Sequence, residues 1–341
     1  FERYNIDTTS IFKGFTITNS DYSGIEVIGQ SPKFVDLIIK NNYYIGFDID
    51  GRCSCDGNRY PVVLRNVLIQ NNGFAGGITC GFSGYQITGI VMENVTIKKN
   101  GGSANNTLLR LNDVNGPTTF NNVKIINNNG SIGQDKQSVY IINCDDFTLE
   151  NMLIVNSGLT NRESAIKVSG NSENFEINNC LILKSDSTIA DVGWDDIRYY
   201  QRGINNANGN NSISINNCTI SGFYTGVYVN NGSLLSIDYS NISHNAYGFY
   251  SENSSLFLNA ENNWWGHSSG PYHPTYNTAG EGDSVNLYVD VIPFLTEPDT
   301  VAPIPIIQNI SVDTFGIDFV DIYWDASPIG DLAGYKVYLD S

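Results

Sequence analysis

Along most of this chain apolar and polar residues alternate in runs of three to five, and the same runs return at a nearly fixed interval. The commonest reads Asn, apolar, any residue, Ile. Its copies are Asn66-Val67-Leu68-Ile69, Asn94-Val95-Thr96-Ile97, Asn122-Val123-Lys124-Ile125, Asn151-Met152-Leu153-Ile154, Asn179-Cys180-Leu181-Ile182 and Asn217-Cys218-Thr219-Ile220. Weaker copies sit at Asp36 to Ile39 and Tyr239 to Ile242, and Gly14-Phe15-Thr16-Ile17 opens the series. Anchored on the Ile, the positions are 17, 39, 69, 97, 125, 154, 182, 220 and 242. In step with it runs a second phrase, a small residue followed by apolar, outward, apolar: Ile25-Glu26-Val27, Phe47-Asp48-Ile49, Ile78-Thr79-Cys80, Leu109-Arg110-Leu111, Val139-Tyr140-Ile141, Ile166-Lys167-Val168 and Val227-Tyr228-Val229. A third alternating piece often precedes the Asn, as in Phe147-Thr148-Leu149 and Phe175-Glu176-Ile177. Alternation this short, broken by Gly, Asn or Ser, marks half-buried strands, and nothing in the stretch has helical period.

Three short strands per repeat predict an all-β fold: a right-handed parallel β-helix, a solenoid of about ten coils over residues 1–262. Coils stacked about 4.8 Å apart make a rod roughly 50 Å long. The Asn column is expected at a sharp corner, because Asn tolerates positive φ better than any residue except Gly. Superposed Asn amides can then hydrogen-bond along the stack. Residues 263–295 carry Asn263-Trp264-Trp265-Gly266 and Ser269-Gly270-Pro271-Tyr272-His273-Pro274. They are expected to cap the solenoid by burying the Trp pair on its open end, a sugar-stacking platform being the alternative. Residues 296–305 form a Pro-bearing linker, and the texture changes over 306–341.

Composition narrows the partners. The 341 residues carry a formal net charge of −17, which argues against nucleic acid and anionic membrane and permits cations. No apolar run is long enough to span a bilayer. These features suit a secreted, cell-surface protein, and the chain reads as a piece of a longer precursor or a mature form. Of the six cysteines, Cys180 and Cys218 share one inward column and read as buried thiols. Cys144 lies beside a strand. Cys53 or Cys55 could pair with Cys80, although pairing cannot be deduced from sequence. No second close Cys or His pair completes a zinc site.

The repeats together with the Trp-Trp-Gly segment resemble the right-handed parallel β-helix repeat proteins of bacterial and archaeal surfaces. That superfamily also contains pectate-lyase-like enzymes. The resemblance covers roughly residues 10–295. Residues 306–341, with Phe319-Val320-Asp321-Ile322-Tyr323-Trp324 and Gly334-Tyr335-Lys336-Val337-Tyr338, resemble the first strands of a fibronectin type III domain. There Trp324 would be the core tryptophan of the second strand and Tyr335 would open the third. Such a sandwich needs about 100 residues, so it is truncated. The resemblance implies further domains of the same precursor, and as partners an extracellular polysaccharide or other surface proteins.

Stacking the outward residues of the second phrase gives Glu26, Asp48, Thr79, Arg110, Tyr140, Lys167, Asn205, Tyr228 and Tyr250. The resemblance implies a substrate lying along such a sheet. It also implies, for the lyases, a carboxylate-bound calcium and an Arg or Lys base. Asp48, Asp50 and Asp56 could supply hard oxygen ligands to calcium, and Arg110 and Lys167 are the candidate bases. Tyr140, Trp194, Tyr199 and Tyr228 are candidate glycan-binding aromatics; Trp194 and Tyr199 fall in an insertion, residues 186–203, of the kind that carries binding sites. The polygalacturonase set of Asn-Thr-Asp, Asp-Asp and Gly-His-Gly is missing. The expectation is therefore a non-catalytic rigid scaffold or adhesion element with a glycan-binding face, needing no cofactor but with room for calcium. The alternative is a polysaccharide lyase or, less so, a glycoside hydrolase.

Overall fold

The corner that the Asn column predicts is present in the backbone. In the computed structural model φ is 54° at Asn66, 55° at Asn94, 53° at Asn122 and Asn151, and 52° at Asn179 and Asn217. Asp36, Tyr239 and Asn262 share this conformation, so one corner repeats from Asp36 to the Trp-Trp-Gly segment. The structure describes residues 6–7, 9–51, 61–73, 79–98, 100, 107–126, 137–156, 164–184, 201–230, 232–252, 254–304, 311–313 and 321–324.

Among these residues there is no helix, and the strands assemble into two large parallel sheets of sixteen and ten strands. Most turns of chain contribute one strand to the ten-stranded sheet, here called the front sheet, and one long or two short strands to the other. The sixteen-stranded sheet folds along the Asn corner into two faces. Early coils cross that corner without a break, in Lys33–Lys40 and Val62–Gln70. Later coils divide there, as in Asp145–Glu150 followed by Leu153–Asn156. The result is a parallel β-solenoid. Among the described residues no helix is long and apolar enough to cross a membrane.

The register follows the Ile column without slipping. Ile17 pairs with Ile39, Ile39 with Ile69, and so on through Ile97, Ile125, Ile154, Ile182, Ile220 and Ile242. From Ile39 onward every one is fully buried, each contributing about 1.5–3 kcal/mol of burial. Phe147 and Phe175 stack at 4.9 Å in the preceding strands. The small residue before the apolar phrase has a packing reason in the later coils. A Cβ on Gly203 would come 2.6 Å from the carbonyl of Gly226, and one on Gly226 would come 2.7 Å from that of Gly248.

Two polar ladders pin the corners. On the outside, Asn66 donates its amide to Asp36 at 2.8 Å, Asn94 to Asn66 at 3.1 Å and Asn122 to Asn94 at 2.7 Å. Asn151 instead donates to Asn121, one residue out of the column. Inside the next corner, Asn42, Asn72 and Asn100 are buried. Asn42 gives both its backbone N–H and its amide to Asn72 Oδ1, and Asn72 does the same to Asn100. A buried amide is tolerable only when its partners are met, and each rung here meets the next.

The stack continues through the Trp-Trp-Gly segment. Trp264 bridges Asn241 in parallel register, which sets Trp265 at the next place in the Ile column. Ile242 donates to the carbonyl of Trp264. Asn263 receives the backbone N–H of Ser240 at 2.8 Å, extending the inward Cys180, Cys218, Ser240 column. Trp264 is 6% exposed and Trp265 is fully buried, which removes the pair as a sugar platform. Ser284–Val285 adds the last rung of the front sheet. Cys144, Cys180 and Cys218 are buried free thiols; Cys53 and Cys55 lie outside the described residues, as does the side chain of Cys80. Past residue 304, Ser311–Asp313 and Asp321–Tyr323 form an antiparallel pair.

Candidate binding groove on the front sheet

The front sheet orders its outward residues by strand register. Glu26 pairs with Asp48, Asp48 with Ser83 and Ser83 with Arg110; the row continues through Tyr140, Lys167, Asn205, Tyr228 and Tyr250. One expected member is replaced. Thr79 pairs with Thr107, and a register shift before Leu109 brings Phe82-Ser83-Gly84 into the column. The residues in register with Leu109 and Leu111 are therefore Phe82 and Gly84. Phe82 is fully buried and stacked on Phe47 at 5.4 Å.

Around this point the sheet opens into a cavity of about 280 Å³ lined by Asp48, Ile49, Asp50, Ser83, Gly84, Tyr85, Arg110 and Asn112. Three adjacent strands, Phe47–Asp50, Thr79–Tyr85 and Thr107–Asn112, each present two alternate residues to it. Gly84 has no side chain to project inward; a Cβ there would meet Leu111 at 2.8 Å. Burial raises the pKa of Asp48, the Ser83 hydroxyl bonded to it partly offsets this, and the charges of Glu26 and Asp50 push it further up. A carboxylate in this setting gains from a cation or from donor hydroxyls.

The other candidates are distributed along the same row. Tyr140 is flanked by two cations, Arg110 at 5.7 Å and Lys167 at 5.0 Å from its ring centroid, within cation–π range. Lys167 stands two rungs beyond Arg110 and is not among the cavity's lining residues. Tyr228 is 2% exposed. The Arg202 guanidinium covers it at 3.4 Å and Tyr250 stacks on it at 6.0 Å. Burial, with a hydrogen bond to Glu252, pushes its hydroxyl above the usual tyrosine range. Its ring is thus occupied by the protein's own groups. Asp56, Trp194 and Tyr199 lie outside the described residues.

Asp48 and Asp50 sit at alternate positions of one strand, about 6.6 Å apart along it. They could provide two oxygen ligands to calcium, with the remainder coming from elsewhere. Among the described residues no group of three or more His, Cys, Asp or Glu is placed to hold a metal ion. Sequence reasoning had placed Asp48, Asp50 and Arg110 on this face. It missed Ser83, Tyr85 and Asn112. Asn112 was legible as the second outward position of its strand, Ser83 and Tyr85 only through the register. No family model, curated protein or solved structure matches this chain.

Proposed function

We propose that this chain is a non-catalytic, secreted or cell-surface β-solenoid module that holds an extracellular polysaccharide in the groove of its front sheet. The observation that carries the reading is the convergence of Asp48, Asp50, Ser83, Tyr85, Arg110 and Asn112 on one cavity. Carboxylates, a hydroxyl, a phenol and an amide accept from and donate to sugar hydroxyls, and a guanidinium grips a uronate carboxylate in bidentate fashion. Calcium, bridging Asp48 and Asp50 to such a carboxylate, would strengthen the grip. Handedness of the coil, a fibronectin type III-like sandwich beginning at residue 306 and further domains of the same precursor belong to this proposal, as do other surface proteins as partners.

The lyase reading has its parts here too, since Arg110 lines the groove beside two carboxylates. A guanidinium stays protonated in proteins, and a base must come within hydrogen-bond reach of its proton. Lys167, two rungs from Arg110, stands roughly 10 Å from it along the stack. Both points favour binding over turnover. Calorimetric titration with oligogalacturonate, with and without calcium, tests the proposal alongside unsaturated-product absorbance. The expected result is saturable binding weakened about tenfold or more, the equivalent of one charge-assisted contact, in Arg110→Ala and Asp48→Asn, with flat absorbance. Absence of binding to this and other acidic polysaccharides would overturn it. Calcium-dependent absorbance that disappears in Arg110→Ala would replace it with the lyase.

A further inference from the structure

Away from the groove, at the corner that leads into the front sheet, three tyrosines stand in solvent. Tyr22 is 74% exposed, Tyr43 50% and Tyr44 42%. They precede the front strands Ile25–Ile28 and Phe47–Asp50, upstream of the residues that line the groove. Tyr22 and Tyr44 lie one above the other in adjacent coils, with centroids 5.9 Å apart and planes inclined by 24°. Tyr43 meets Tyr44 edge-on at 5.3 Å.

The turns beneath them are locked. Tyr43 donates its N–H to Ser20 at 2.9 Å and Tyr44 to Tyr22 at 3.2 Å. Tyr22 donates to the Ser20 hydroxyl at 3.1 Å, and Ser20 donates to Asn42 Oδ1 at 3.0 Å. Asn42 is the end of the buried ladder through Asn72 to Asn100. Gly24 follows at close quarters: a Cβ there would lie 2.6 Å from the Asn42 amide and 2.7 Å from the Gly46 carbonyl. Aromatic rings held on a pre-ordered backbone lose little entropy when something stacks on them.

We propose that Tyr22, Tyr43 and Tyr44 form a second carbohydrate site, a stacking platform for the pyranose rings of a neutral polysaccharide. The exposed area of the three rings is on the order of 400 Å², half of the roughly 800 Å² per partner that a stable protein interface needs. It is enough for the face of one or two sugar units. A nucleobase would stack equally well, but its phosphates would meet a chain of net charge −17. With Asp21 adjacent, Glu26 on the following strand and no Lys or Arg within residues 20–24 and 41–46 to play the part of Arg110 in the groove, a polyanionic glycan is disfavoured here. Tyrosine suits a sugar because its ring takes the C–H face while its hydroxyl reaches the polar rim.

Native affinity electrophoresis of the full chain through hydroxyethylcellulose, laminarin and glucomannan tests this, with sedimentation velocity and thermal melting run on the same proteins. At least one of the three polymers should retard the wild type. Tyr22→Ala and Tyr44→Ala should weaken that retardation by about tenfold, the scale of a lost stacking face, with melting temperature preserved. Tyr44→Phe should keep most of it, and the groove variants Asp48→Asn and Arg110→Ala should leave it intact. Retardation by none of the polymers would overturn the proposal, as would Ala variants retarded like the wild type. A self-associated species that Tyr22→Ala dissolves would also overturn it, by making the corner an interface between copies.

Discussion

Asn122 shows what a single corner position contributes. Its φ of 53° lies where an L side chain clashes with its own carbonyl, at about 1–2 kcal/mol for residues without a local remedy. Its amide also holds Asn94 at 2.7 Å. Asn122→Ala should therefore lower stability by about 1–3 kcal/mol. Asn122→Gly, which removes the strain but not the lost bond, should cost less. Equal losses in chemical denaturation would mean that backbone conformation is not why Asn recurs. Asp283 offers a second test at this scale. It lies part-buried on the last rung, where its Oδ2 accepts from the Asn245 N–H at 3.0 Å and from the Asn245 amide at 2.8 Å. Burial pushes its pKa from 3.8 up to about 8, against the hydrogen bonds from Asn245 and His244. The carboxyl is then protonated in the fold at neutral pH and ionised in the unfolded chain. Its contribution is full below about pH 4 and is lost as pH rises to about 8, at about 1.4 kcal/mol per pH unit. Asp283→Asn should melt higher than the wild type at pH 8, the gap closing toward pH 4. A gap that does not change with pH would show that Asp283 is ionised in the fold.

At the scale of the element, the strands were legible wherever one inward column kept a single chemistry. The Ile column from Ile17 to Ile242 needed only period and alternation, and the positive-φ corner followed from what Asn tolerates. The failure at Ile78-Thr79-Cys80 has a specific cause. Phe82-Ser83-Gly84, four residues on, alternates as well, and only pairing with Leu109-Arg110-Leu111 in the next coil decides between them. A one-chain pattern carries no information about its neighbour's register. The terminal segment hid its kinship to the repeats for a related reason. Asn262-Asn263-Trp264-Trp265 keeps the corner but places Trp where every earlier coil has Ile, so it reads as a different object. In the structure Trp265 fills the last layer beneath Gly248, whose added Cβ would lie 2.8 Å from the indole ring. Trp265→Ala should cost about 3–5 kcal/mol, seen as an early unfolding step at this end. Trp264→Ala, on a more exposed position, should cost less. Unchanged melting of Trp265→Ala would mean the last rung is not part of the cooperative stack.

Across the whole molecule, the solenoid converts sequence repetition into rows of side chains at fixed spacing, and a site arises where a row carries chemistry. Glu26, Asp48, Asp50 and Arg110 were visible as such a row from alternation alone. The cavity was not, because it depends on the shift that seats Ser83 between Asp48 and Arg110. The tyrosine corner was equally hidden. Nothing in Asp21-Tyr22 or Tyr43-Tyr44 reveals that both turns rest on Asn42 and leave their rings outside. Tyr228 shows the converse: an outward place in the row, yet covered by Arg202 and Tyr250.

A polysaccharide is expected to lie across the front sheet at this cavity. The most direct measurement is a structure of the full chain with a bound oligouronate. It should show sugar over the strands Phe47–Asp50, Thr79–Tyr85 and Thr107–Asn112, with a uronate carboxylate on Arg110 and hydroxyls on Asp48 or Asp50. Sugar bound on either face of the sixteen-stranded sheet, or on the front sheet beyond Lys167 with the cavity unfilled, would contradict it.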